Sequence, residues 1–176
     1  MTHVGRRGSL WAGGDYKKME SRRPLYTPEE RARRDSSVWT LVQGILAPVQ
    51  FVIFLVSLFL VLRFLSTGEG AEAAAISVVV KTLALYTIMV TGAIWEKVVF
   101  GKYLFAESFW WEDFFSMFVI ALHTAYVVAL WFGLGSETSR MLIALAAYAA
   151  YVINAGQFLL KLRAARLQAA PKMVTA

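Results

Sequence analysis

The chain has 176 residues, 58% of them hydrophobic, with 18 Lys+Arg against 12 Asp+Glu and no cysteine. The missing cysteines exclude disulfides, thiolate metal sites and cysteine nucleophiles, and the long apolar runs are those of a membrane protein rather than a soluble domain. A sequence pI near 9.7 is not read as nucleic-acid binding, because the basic residues cluster at the two ends beside apolar segments, where membrane topology accounts for them.

Residues 1–23 are Gly-rich and basic without apolar periodicity, and are expected to form a disordered basic tail. They lack an apolar h-region, so they do not read as a secretory signal peptide. Residues 24–38 read PLYTPEERARRDSSV. Thr27 with Glu30 three positions on, and Pro28 at the first helical position, mark a helix start. A short, basic, amphipathic helix at the membrane surface is expected there, with Ser36 or Ser37 capping the next helix.

Four apolar segments follow, at about residues 39–62, 74–99, 114–134 and 141–160. Each suffices to cross roughly 30 Å of hydrocarbon, which takes about 20 residues of helix. The fold class expected is therefore all-α integral membrane: a four-transmembrane-helix bundle over 39–162, closed by a basic C-terminal tail over 163–176. Nine Lys/Arg precede the first span, Lys97 and Lys102 lie in the middle connector, and Lys161, Arg163, Arg166 and Lys172 close the chain. By the positive-inside rule both termini and the middle connector are cytoplasmic. Trp39, Trp95, Trp110 and Trp111 then fall at the cytoplasmic interface, where aromatic belts sit.

Polar residues inside the spans each need a reason, since an ionisable group in hydrocarbon costs at least about 2.5 kcal/mol. The first span carries Gln43 and Gln50, seven apart on one face, with Pro48 between them expected to kink the helix. The second carries Lys81 and Glu96; Lys81 is expected to snorkel outward towards Glu69 or Glu72. The third carries His123, with Asp113 and Ser116 on nearly the same face. The fourth carries Tyr151, Asn154 and Gln157. Gln and Asn in spans often only glue helices together, and Glu112 and Asp113 suit a helix N-terminus on charge alone. A midplane imidazole is harder to assign to packing. The polar groups of all four helices are expected at one depth, as a cavity open towards the cytoplasm. Bis-histidine haem, multi-ligand zinc or di-iron sites and nucleotide loops have no residues to build them.

The runs LYTPEERARRDSSVWTLVQGILAPVQFVIFLVSLFLVLRFL and GAIWEKVVFGKYLFAESFWWEDFFSMFVIALHTAYVVALW resemble the 3-vinyl (2-vinyl) bacteriochlorophyllide hydratase family of phototrophic bacteria. The similarity covers about residues 25–165. It implies a hydro-lyase of bacteriochlorophyll biosynthesis in the photosynthetic (cytoplasmic or intracytoplasmic) membrane, adding water across the C3 vinyl group of a chlorophyllide or bacteriochlorophyllide to give a 1-hydroxyethyl group. It implies no added cofactor, since the Mg²⁺ belongs to the tetrapyrrole substrate.

That chemistry calls for a proton donor, a proton acceptor and an aromatic-lined slot. Glu96, His123 and Asp113 are the candidate catalytic residues, with Glu96 and His123 expected to frame the pocket and Asp113 or Glu112 at its mouth. Asn154, Gln50, Gln43 and Tyr151 are candidates for positioning water and substrate. Arg34, its neighbour Arg33 or Lys102 is expected to meet a pigment propionate. His123 has a second candidate role, as axial ligand to the substrate's Mg²⁺. The competing reading is a non-catalytic pigment carrier or assembly factor, its basic tail docking another pigment-biosynthesis enzyme. The partners expected are the tetrapyrrole and the lipid bilayer, with no nucleic acid.

Overall fold

The computed structural model describes residues 25–169. The tail expected over 1–23 and the last residues, 170–176, lie outside them. Among the described residues there are five helices and no strand: α1 (Pro28–Ser36), α2 (Val38–Thr67), α3 (Ala71–Phe100), α4 (Trp110–Trp131) and α5 (Glu137–Ala169). The last four are long and apolar enough to cross a membrane. This is the all-α, four-span architecture of a multi-pass membrane protein.

Local chemistry sets the boundaries. Thr27 and Glu30 form a reciprocal capping box at the start of α1. Ser37 ends α1 and caps α2, its side chain accepting from the Trp39 N–H at 3.2 Å. Helix α2 runs without interruption through Pro48. Gly68 and Gly101 end α2 and α3 at φ of +75° and +82°, a region open to glycine at no steric cost. α5 runs past residue 160 through a stretch rich in Leu, Ala, Arg and Lys, all strong helix formers.

Consecutive spans pack antiparallel. On α2 and α3, Thr40 meets Trp95, Gln43 meets Thr91, and Ser57 meets Ser77. On α4 and α5, Glu112 meets Lys161 and Ser116 meets Asn154. These two hairpins close into a bundle where α2 meets α5 and α3 meets α4. The short turns 68–70 and 132–136 lie at one end, the hairpin end. Helix α1 and the connector 101–109 lie at the other, the connector end. Helix α1 is fixed there by Arg33 Nε, which donates to the Val99 carbonyl at 2.8 Å, one of the last carbonyls of α3 with no partner inside the helix.

The polarity is inverted relative to a soluble bundle. Leu41, Ile45, Val52, Phe59 and Trp131 point outward and are exposed, while Gln50, Lys81, Glu96, Asp113, His123 and Asn154 are buried. An apolar exterior of that extent suits lipid. The apolar core holds Phe54, Val61, Val78, Tyr126 and Tyr148. A second, aromatic cluster at the connector end joins Tyr26, Trp95, Phe100, Phe109 and Phe158.

Candidate functional site

The buried ionisable residues fall into two groups at different depths. The first lies at the connector end. Glu96 comes from the last turns of α3 and Asp113 from the first turn of α4, and their carboxyl groups are within hydrogen-bonding reach of each other. A carboxylate has no hydrogen to donate, so that contact bonds only when one of the two carries a proton. Backbone groups of the connector hold the pair: Phe105 N–H donates to Asp113 Oδ2 at 2.7 Å and Ala106 N–H to Glu96 Oε2 at 3.4 Å. To present its N–H this way Phe105 takes φ of +59°, a conformation that costs a non-glycine residue about 1–2 kcal/mol. Strain of that kind persists only where surrounding contacts over-determine it.

Beside the pair, Lys161 Nζ on α5 donates to Glu112 Oε2 at 2.5 Å, and the same ammonium lies 5.0 Å from the centre of the Phe109 ring. Sequence reading placed Lys161 only among tail charges. In the fold it supplies the cation beside the carboxyls, bonded to Glu112, the neighbour of Asp113 in the first turn of α4. A surface hollow of about 450 Å³ opens on the other side of the connector, lined among others by Leu25, Phe100, Lys102, Ala106 and Ser108. Ala106 is thus the wall between the hollow and Glu96.

The second group lies deeper. His123 is fully buried, and its Nδ1 sits 2.8 Å from the Val119 carbonyl. A carbonyl only accepts, so Nδ1 bears the hydrogen, and in the neutral ring Nε2 is an acceptor. Its ring centre is 5.8 Å from that of Tyr148, whose hydroxyl shares a 2.5 Å hydrogen bond with Ser57. Lys81 is also fully buried, its Nζ 3.6 Å from the centre of the Tyr151 ring and 6.0 Å from that of Phe54. The expected snorkelling of Lys81 towards Glu69 or Glu72 is overturned. α3 turns its Ala74, Val78, Lys81, Thr82 and Leu85 face inward, and the side chain follows that face.

Glu96 and His123, expected to frame one pocket, sit in different groups at different depths. Ten residues separate Asp113 from His123 on α4, about 15 Å along the axis, and Asp113 is drawn up to the connector N–H. Of the other candidates, Asn154 Nδ2 donates to Ser116 Oγ at 2.8 Å, between the two groups. Gln43 Nε2 donates to Thr91 Oγ1 at 2.8 Å on the α2–α3 face. Gln50 is buried in α2, and Tyr151 lies under Lys81. Lys102 is exposed and lines the hollow. Arg34 instead pairs with Asp35 at 2.6 Å and stacks 4.6 Å over Tyr26.

The sequence model of 2-vinyl bacteriochlorophyllide hydratase (BCHF) matches residues 26–164. The chain belongs to this hydratase family. A relative bearing that name in Rhodobacter capsulatus is 72% identical over 150 residues, covering 85% of this chain and 87% of the relative. Another, in Cereibacter sphaeroides, is 68% identical over 145 residues, covering 82% and 90%. No solved structure matches. The hydratase match takes in both polar groups, α1 and the connector, and leaves out the whole N-terminal tail, 1–23.

Proposed function

We propose that the chain hydrates the C3 vinyl group of a bacteriochlorophyllide or chlorophyllide in the photosynthetic membrane, with Glu96 and Asp113 as its acid–base pair. One observation carries the assignment of residues: two buried carboxyls held by the consecutive N–H groups of Phe105 and Ala106, one residue's thickness behind the hollow that Lys102 lines.

Adding water to an alkene needs a proton on the terminal carbon. The cation left on the inner carbon is delocalised by the adjacent macrocycle. Water attacks that carbon, and a base removes the surplus proton, so the pair ends the cycle with the proton it began with. Two carboxyls sharing one proton hold acid and base together. The flat pigment docks against the aromatic cluster behind Phe100 and turns its propionate to the Lys102 ammonium. A shift of connector 101–109 away from the two carboxyls brings the vinyl group to them. No added cofactor takes part, and the Mg²⁺ stays with the substrate. His123, buried and away from the hollow, is a structural group rather than the metal's axial ligand.

The test is incubation of purified protein with vinyl pigment, followed by mass spectrometry. The wild type adds one water to the pigment. Pigment that co-purifies unchanged makes the chain a carrier, and full activity in both Glu96→Gln and Asp113→Asn removes the pair from the mechanism.

A further inference from the structure

Six buried polar atoms have no hydrogen-bond partner among the described residues and lie within the four spans: Gln157 Oε1, Asn154 Oδ1, Gln50 Nε2, Lys81 Nζ, His123 Nε2 and Tyr126 OH. They come from all four spanning helices. On α5, Gln157 and Asn154 stand one turn apart, about 4.5 Å along the axis, and Tyr151 continues the same face. Lys81 Nζ lies over the Tyr151 ring, the His123 ring centre is 5.8 Å from that of Tyr148, one turn from Tyr151 on α5, and Tyr126 follows His123 by one turn of α4. Above Gln157 the same faces reach Glu112, Asp113 and Lys161. By helix rise the levels of these residues span about 20 Å of the bundle, the length of the 13 residues of α4 from Asp113 to Tyr126.

The chemistry of the line selects its occupant. Gln157 Oε1 and Asn154 Oδ1 accept, and so does His123 Nε2, because the Val119 carbonyl holds the hydrogen on Nδ1. Gln50 Nε2 donates, and Lys81 Nζ has N–H to donate whether charged or neutral. Tyr126 does both. An anion would be repelled by the amide oxygens and a cation by the amide and lysine N–H groups. Water meets both kinds, and buried water characteristically serves polar groups the fold leaves unpaired. The geometry points to a file of ordered waters along the bundle axis, from the Glu96–Asp113 pair past Asn154 and Lys81 to His123 and Tyr126. Resting on the acid–base reading of that pair, the file delivers the water that the hydration consumes.

Radiolytic hydroxyl labelling tests the file itself. Brief X-ray exposure of the purified chain in nanodiscs generates hydroxyl radicals from bound water, and mass spectrometry locates the modified side chains. After correction for intrinsic reactivity, His123 and Tyr126 are expected to label about tenfold faster than Phe109, equally buried but packed among aromatic rings. Labelling of all three at one slow rate overturns the file. The supply role is tested with Asn154→Leu, which puts a branched apolar side chain across the line. Product formation is expected to fall about tenfold while pigment binding, read from its visible absorption, is unchanged. A full rate in that variant overturns the supply. If His123 and Tyr126 label while Glu96→Gln keeps full activity, the file stands and the acid–base reading falls.

Discussion

The two polar regions of this bundle follow opposite rules. At the connector end four ionisable groups of the spans are paired: Glu96 with Asp113, Glu112 with Lys161, and both acids of the first pair with backbone N–H groups. Some 15 Å deeper, Lys81 Nζ faces the Tyr151 ring and, like His123 Nε2, has no hydrogen-bond partner among the described residues. The first arrangement fixes donors and acceptors at set positions next to a hollow, as acid–base chemistry requires. The second leaves bonding capacity open, as a solvated interior requires. Burial alone does not distinguish them, since His123 and Asp113 are both nearly inaccessible. Partnership does.

The largest effect that can break this contrast is catalytic. Glu96→Gln and Asp113→Asn are each expected to slow hydration about 10²- to 10⁴-fold, the range general acid–base catalysis supplies, read as the rate of product gaining one water. Histidine 123 replaced by Leu is expected to cost far less in the same assay, and equal losses would erase the distinction. Next is stability. Lys161→Met strips Glu112 of its counter-charge, and a part-buried carboxylate left alone is expected to destabilise the fold by about 1–3 kcal/mol. Lys81→Met removes an amino group that has no ionic partner among the described residues to leave behind, and is expected to keep or raise the unfolding temperature. Thermal melts in one detergent compare the two.

Smaller effects sharpen the picture. Lys102→Ala is expected to raise KM for the free-acid pigment about fivefold with kcat unchanged, matching the roughly 1 kcal/mol an exposed ion pair is worth. The methyl ester of the pigment is expected to show no such change. In the deep region, Ser57→Ala, Tyr148→Phe and the double variant form a cycle. Its coupling is expected near 0.6 kcal/mol, typical of interhelical hydrogen bonds in membranes, with hydration unaffected.

Much of the fold could be read from the chain. Apolar run lengths give the four spans, and Thr27, Glu30, Pro28 and Ser37 give the entry to α1 and α2 through backbone chemistry that acts within a few residues. Glu96 and Asp113 could be singled out because carboxyls in hydrocarbon are costly. Their contact could not, as it depends on how α3 and α4 meet across the connector. The fate of Lys81 was hidden for a different reason. In a membrane bundle lipid-facing and core-facing positions are both apolar, so periodicity says little about which face turns in. Lys161 carried a usable signal. Residues 131 and 137 flank the second hairpin turn, so antiparallel neighbours should sum to about 268, which sets Glu112 within about two turns of Lys161 on α5.

The hairpin end has a consequence for how the protein meets its surroundings. With turns of three and five residues there, 68–70 and 132–136, that face offers little more than the bilayer does to a water-soluble macromolecule. The opposite face presents more protein, with α1 held to α3 by the Arg33–Val99 bond and the 101–109 connector beside it. A bulky tag inserted between Gly68 and Gly70 should therefore be the least intrusive handle on this molecule.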